Sequence, residues 1–367
     1  MTDAAATSRL RLADMDRILI LKTAALGDVL RTTSILPGLH AAHGSPRIEW
    51  VAARGAVDLV RTHPLVARVH GLDPADAAAL GALRAELCQE NWTLVVSLDD
   101  EAPLCELAAA LPSARLVGAT LVRGARGYTD DAAEWFDMGL LSRHGKRRAD
   151  ELKVLNQRSQ PAIYASMLGI AMGRPRLELP EADLAGAAAL WSTLGLDDGV
   201  PVVGLNTGAG GRWRGKMLPL DATVATCVRL RAESGRPLRF LVLGGAAEAE
   251  RNRALHASLV AAGLDARDAG VDHALLSFAA LVDRLHVLLT SDSLALHMAI
   301  ARGTRSVSFY APTSAAEIET YGTGDKVAST SVDYCSYLPD ADNSTLTPDR
   351  LVPALLRQLE LSPDRGV

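Results

Sequence analysis

Aromatic residues make up only 4% of this 367-residue chain, and there are just four cysteines, Cys88, Cys105, Cys227 and Cys335. With 49% of residues hydrophobic but so few large rings, Ala, Leu and Val must fill the interior, and aliphatic, helix-rich cores are expected. The cysteines are widely separated, form no C-x-x-C pair and have no histidine at zinc-ligand spacing. That argues against a zinc module and fits reduced thiols in a cytoplasmic protein. No apolar run reaches the roughly 18 residues that span a bilayer, and the first fifteen residues hold no continuous apolar signal core. No transmembrane segment is therefore expected. An excess of one charge is also missing. A net charge of −5 gives no field to hold nucleic acid, and no helix has the basic amphipathic pattern of a membrane anchor.

The length suggests about two domains at roughly 150 residues each. Arg17 to Lys22 reads as a buried strand, the segment after Asp28 as a helix, and Arg47 to Ala52 as a second strand. A strand over Thr93 to Ser97 and an Ala-rich helix near Leu104 to Leu111 continue this alternation. The chain then turns irregular and charged around Arg143 to Lys153, before a helix over Gln160 to Leu168. Gly173, Pro175 and Pro180 punctuate a polar linker, set at residues 173–185. Alternation restarts with a strand at Val202 to Leu205, a helix near Ala222 to Ala232, and a strand at Leu238 to Leu243 that ends in Gly244 and Gly245. Strands at Val287 to Thr290 and Ser306 to Tyr310 follow, and Pro348 to Leu361 reads as a terminal amphipathic helix. The expectation is two parallel-sheet α/β domains, over residues 1–172 and 186–345, with ligands at the carboxyl ends of their strands in a cleft between them. Residues 346–367 form a terminal helix and tail that can fold back on the first domain.

Several segments carry chemistry. LKTAALGDVLRTT, Leu21 to Thr33, joins a strand to a helix through a turn holding one acid, Asp28. An acid there can face a ligand and take a proton from a hydroxyl, or simply cap the helix. NTGAGG, Asn206 to Gly211, follows a strand, and its glycines let backbone amides approach an anion closely. It is neither a dinucleotide fingerprint nor a P-loop, since Arg212, Trp213 and Pro219 follow where a helix should begin and no GK[ST] is present. Lys216 downstream can neutralise a diphosphate or be an ordinary surface lysine. Asp292 and Ser293 stand at a helix start, where a side chain can cap and free amides attract phosphate, with His297 about one turn inside. Glu248, after Gly244 and Gly245, can bind ribose hydroxyls or be a solvated helix-start acid. Asp99, Asp100 and Glu101 follow the third N-terminal strand. With no second ligand cluster they read as solvated or acceptor-facing rather than as a metal site. The run Arg143 to Arg148 reads as a solvated face, with contact to an anionic acceptor or a membrane surface as the alternative.

In this order the motifs resemble glycosyltransferase family 9, the heptosyltransferase family, across roughly residues 17 to 360. They are ALGD after the first strand, RGKMLP after the first strand of the second half, GGxxE, and D-S followed by His. The resemblance implies the GT-B architecture, two facing Rossmann-like domains with parallel sheets and an interdomain cleft. It also implies inverting, metal-independent sugar transfer, typically of heptose from ADP-heptose, with no cofactor beyond that nucleotide-sugar co-substrate. The first domain would bind the acceptor and the second the donor. By resemblance Asp28 is the catalytic base and Lys216 a ligand of the donor phosphates that assists departure. Glu248, Asp292, Ser293 and His297 are then donor-site residues, and Asn206, Thr207 and Gly208 of the glycine run join them as donor-binding candidates. Asp99, Asp100 and Glu101 fall on the acceptor side. Leu294 departs from the family's glycine, Arg305 from a common proline and Leu218 from a frequent tryptophan.

One displacement on the anomeric carbon then gives inversion, with Asp28 withdrawing the acceptor proton. The acid run SLDDE repels a phosphorylated lipopolysaccharide core, so a saccharide or a neutral or cationic natural-product scaffold such as an aminocyclitol also enters as acceptor. Two other classes share the scaffold: sugar-nucleotide epimerases or hydrolases, and non-catalytic sugar-nucleotide-binding proteins.

Overall fold

The computed structural model describes residues 15–208 and 213–362, which divide into two compact units at Leu177 and Glu178. That division falls inside the 173–185 segment, and helix resumes by Glu181.

In the first unit the strands are β1 (Arg17–Leu21), β2 (Arg47–Ala53), β3 (Arg68–Leu72), β4 (Trp92–Ser97), β5 (Ser113–Val122) and β6 (Ala125–Tyr128). They form one sheet in the order β3-β2-β1-β4-β5-β6, parallel except for the antiparallel β5–β6 pair. The helices are α1 (Leu26–Thr32), α2 (Leu36–Ala42), α3 (Ala77–Leu87), α4 (Ala102–Ala110), α5 (Ala133–Phe136), α6 (Lys146–Leu155) and α7 (Gln160–Leu168). β1 is RILIL and is buried on both faces, which is why it reads as a continuous apolar run rather than an alternating one. Leu19, Leu21, Val51 and Val95 from the sheet pack with Leu104, Leu107 and Ala108 of α4 and with Trp92.

The second unit adds β7 (Val202–Asn206), β8 (Arg239–Val242), β9 (Ala266–Asp268), β10 (Val287–Ser291), β11 (Arg305–Tyr310) and β12 (Gly324–Ala328). All its strand pairs are parallel, in the order β12-β11-β10-β7-β8-β9. The helices are α8 (Glu181–Thr193), α9 (Leu220–Glu233), α10 (Ala249–Ala261), α11 (Leu275–Asp283), α12 (Leu294–Arg302) and α13 (Pro348–Leu361). Numbered within each unit, both sheets have the order 3-2-1-4-5-6 of a dinucleotide-binding α/β fold, whose ligand crevice opens where strands 1 and 4 diverge. That predicts ligand sites beyond β1 and β4 in one unit and beyond β7 and β10 in the other.

Leu351, Val352, Leu355 and Leu359 of α13 belong to the second unit's core with Leu205, Phe240 and Val307. The terminal helix is therefore held by this unit's own packing against α9 and β11. The charged stretch from Arg143 is more regular than its composition suggests. Lys146 pairs with Asp150 at 2.5 Å and Arg147 with Glu151 at 3.3 Å along exposed turns of α6. The β5–β6 hairpin also escaped the sequence pattern. Its two-residue turn is Arg123-Gly124, with φ of 53° and 81°, a primed turn usually announced by Asn-Gly.

Candidate functional site

Asp28 lies in the first turn of α1, three residues beyond the N-cap Ala25, so it is not the helix cap. Its carboxylate is partly exposed and pairs with Arg31 at 2.8 Å, one turn along the same helix. The turn that presents it is tied down from β4. Asp99 is buried and bonded through one oxygen to Lys22 and through the other to the Thr23 amide and, at 2.7 Å, the Thr23 hydroxyl. Lys22 also donates to the Ala24 carbonyl. Burial alone would push the Lys22 ammonium toward neutrality, but the charges of Asp99 and Asp28, with Tyr164 nearby, outweigh it and hold its pKa above the ordinary lysine value.

The solvated or acceptor-facing reading of Asp99 is thereby corrected. A carboxylate with both oxygens engaged by a buried ammonium, an amide and a hydroxyl is a structural anchor. Its neighbours differ. Asp100 is half-buried and Glu101 is exposed at the N-cap of α4. Among the described residues no group of three His, Cys, Asp or Glu is placed to hold a metal ion, and all four cysteines are free of disulfides.

In the second unit a pocket of about 430 Å³ opens at the carboxyl ends of four strands. Asn206, Gly208, Trp213 and Lys216 come from the segment after β7, and Gly244, Gly245 and Glu248 from the turn after β8. The run after β10 supplies Ser291 to Ala295. Asn206 joins the two central strands, accepting from Thr290 Oγ1 at 3.1 Å and Ser293 Oγ at 3.4 Å. Because Ser293 is spent on Asn206 and Thr290, its side chain does not cap α12, although it occupies the N-cap position. The capping expectation for Ser293 is corrected accordingly. The first amides of α12 are left to whatever anion enters the pocket.

Asp292 organises the cationic side. Lys216 Nζ donates to its carboxylate at 2.9 Å and its carbonyl at 2.7 Å, and His297 Nε2 lies 3.6 Å from the other carboxylate oxygen. Lys216 also sits 5.8 Å from the Trp213 ring centroid, within cation–π range. Glu248 accepts from the Gly245 amide at 2.8 Å, which fixes its carboxylate over the glycine turn. Gly208 approaches Glu248 so closely that a Cβ there would overlap its Cγ. Leu294, where a glycine was expected by resemblance, is the first residue of α12 and has no positive φ, so this backbone makes no demand for glycine.

Thr207 and His297 are buried and do not line the pocket. Ala209 to Gly211 of the NTGAGG run, and Arg212, lie outside the described residues. The apolar wall went unread in the sequence. Val271, His273, Leu275 and Phe278 follow β9, a strand of three residues with no legible periodicity. His273 donates through Nε2 to the Ala269 carbonyl at 2.9 Å and lies 6.5 Å from Phe278 between ring centroids. The Lys216 ammonium and the uncapped start of α12 beside apolar Val271, Leu275 and Phe278 have the chemistry to take a nucleotide.

The fold has solved counterparts. The glycosyltransferase family 9 protein from Veillonella parvula DSM 2008 superposes with a TM-score of 0.74 at 19% identity, over 95% of this chain and 98% of its own. The E. coli ADP-heptose lps heptosyltransferase II gives 0.64 at 16% identity, over 94% and 99%. E. coli heptosyltransferase WaaC with ADP gives 0.58 at 15% identity, over 94% and 99%. The chain therefore has the GT-B fold and resembles glycosyltransferase family 9 in structure. No family model matches the sequence, and no curated protein matches it either.

Proposed function

We propose that this protein is an inverting glycosyltransferase that takes its sugar from a nucleoside diphosphate donor, with ADP-heptose the best-supported candidate. One observation carries the reading. Lys216, Glu248 and the uncapped start of α12 converge on a single pocket with an apolar wall, at the strand ends where a nucleotide binds in this fold. The donor named here follows from the E. coli neighbours, whose names carry ADP-heptose and ADP.

In this mechanism Glu248 holds ribose hydroxyls and the wall of Val271, Leu275 and Phe278 packs on the base. Lys216 and the α12 amides meet the diphosphate, whose charge grows as the anomeric bond breaks. These donors stabilise the departing group with no divalent ion in the scheme. Asp28, on the first unit, takes the proton of the acceptor hydroxyl as its oxygen attacks from the opposite face. Asp100 and Glu101 lie on the acceptor side, where their charge favours a neutral or cationic acceptor such as an amino sugar or aminocyclitol over a phosphorylated lipid core.

The experiment is a thermal-shift panel of ADP-heptose, ADP, GDP- and UDP-sugars. A ligand at 100 times its dissociation constant adds about 2.7 kcal/mol of stability, so the true donor stands out. Stabilisation by ADP-heptose, followed by transfer to an amino-sugar acceptor, is the expected result. No shift with any nucleotide overturns the donor reading. Release of free sugar with no acceptor overturns transfer in favour of hydrolysis. Glycosylation of a phosphorylated lipid core in preference to amino sugars overturns the acceptor class.

A further inference from the structure

We infer that Asn343, outside the pocket, is a positioning residue for Lys216: its side-chain amide holds the short loop that aims the lysine at the donor phosphates. The inference rests on reading Lys216 as a ligand of the donor diphosphate.

A lysine is a point charge on a flexible four-carbon stem, so its value as a phosphate ligand depends on where its backbone is fixed. Lys216 ends a three-residue turn, Arg214–Lys216, that has no long helix or strand to hold it. The hold comes from the segment after β12. Asn343 Nδ2 donates to the carbonyl of Gly215 at 3.2 Å and of Met217 at 2.6 Å, the residues on either side of Lys216. The Gly215 amide donates to the Pro339 carbonyl at 2.7 Å, and the Arg214 guanidinium grips Asp340 through two bonds of 2.6 and 3.0 Å.

The fit is close. A Cβ on Gly215 would stand 2.6 Å from the Ala341 carbonyl oxygen, so the loop and the 339–343 segment touch backbone to backbone. An asparagine amide carries two N–H donors, and here both carbonyls flanking the lysine converge on that one nitrogen. On the pocket side Asp292 fixes the ammonium itself. The lysine is thus held at its head by Asp292 and at its base by Asn343, and only the first of these lines the pocket.

The test compares ADP affinity by calorimetry in the full chain, Asn343→Ala, Lys216→Met and the double variant, with amide hydrogen exchange across residues 213–218 in the ligand-free proteins. The expected result is about tenfold weaker ADP binding in Asn343→Ala, no further loss when Lys216→Met is already present, and faster exchange of the Gly215 and Met217 amides. An equal loss in both backgrounds overturns the inference, because a residue acting through Lys216 has nothing left to position once the lysine is gone. Unchanged exchange also overturns it. If the full chain binds no ADP, the donor reading fails and exchange alone judges the hold of Asn343 on the loop. Should Asn343→Ala not fold, Asp340→Ala releases the same loop from an exposed position. It should weaken ADP binding about threefold with the same loss of additivity, and wild-type affinity in that variant would count against the inference.

Discussion

Each unit carries a lysine–aspartate pair at the same topological place, between strands 1 and 4 of its sheet, and the two pairs have different fates. Lys22 and Asp99, beyond β1 and β4, have side chains only 8% and 4% exposed. Lys216 and Asp292, beyond β7 and β10, are 16% and 17% exposed and line a pocket. In the first pair both carboxylate oxygens of Asp99 are spent on the turn after β1. In the second the carboxylate orients a lysine that still faces open volume. The same chemistry at the same fold position is an anchor when buried and part of an open pocket wall when partly exposed. What differs is whether water or a substrate can reach the cation.

The comparison breaks most visibly at Asp28, a partly exposed acid of the first unit outside the buried pair. Asp28→Asn should lower transfer by about three to four orders of magnitude, the upper range for loss of a general base, while donor affinity measured by calorimetry is retained. Undiminished turnover would remove Asp28 as base. Next in size is Asp99→Ala, expected to cost about 3–5 kcal/mol because it strands a buried ammonium. Urea unfolding checks it, and a loss under about 1 kcal/mol would contradict the anchor role.

A third test uses pH on another buried pair of the first unit. Burial would raise Glu49, but hydrogen bonds from His70 and Arg47, at 2.8 and 2.9 Å, outweigh it and bring its pKa from 4.5 down to about 2. A depressed carboxylate contributes its full stability above the unfolded value near 4.5 and loses it as the pH falls toward 2. The contribution is on the order of 3 kcal/mol. Glu49→Gln should therefore flatten the acid limb of a stability-against-pH curve between those values, and an unchanged limb would sink the assignment. The smallest expected effect sharpens the second unit. Phe278→Ala should weaken nucleoside diphosphate binding by about 1–2 kcal/mol through lost ring packing while leaving inorganic pyrophosphate binding unchanged. Equal losses on both ligands would argue against a base-facing wall.

Legibility in the sequence followed burial. The strands β1, β2, β4, β7, β8, β10 and β11 and the helices α7 and α13 stand out as apolar or periodic runs, and each lies where its pattern places it. β5 spans ten residues but is partly exposed at both ends and does not stand out. β3 and β12 are edge strands with mixed polarity, and β9 has three residues, so none offers a full period to read. Lys216, Glu248, Asp292 and Ser293 were legible because each sits just past a recognisable strand. His273 and Phe278 were not, since the strand that delivers them is too short to see.

The sequence by itself determined two parallel α/β units, the segments that end their strands, and the residue types those ends present, because local hydrophobic periodicity and turn chemistry are written in neighbouring positions. Only the tertiary structure decided which of those residues are spent and which remain available. Asp99 turns inward onto Lys22, Ser293 is taken by Asn206, and Asn343 reaches back to Lys216's loop. Such pairings join residues far apart in the chain, and their outcome rests on burial and hydrogen-bond competition, which no local stretch of sequence encodes.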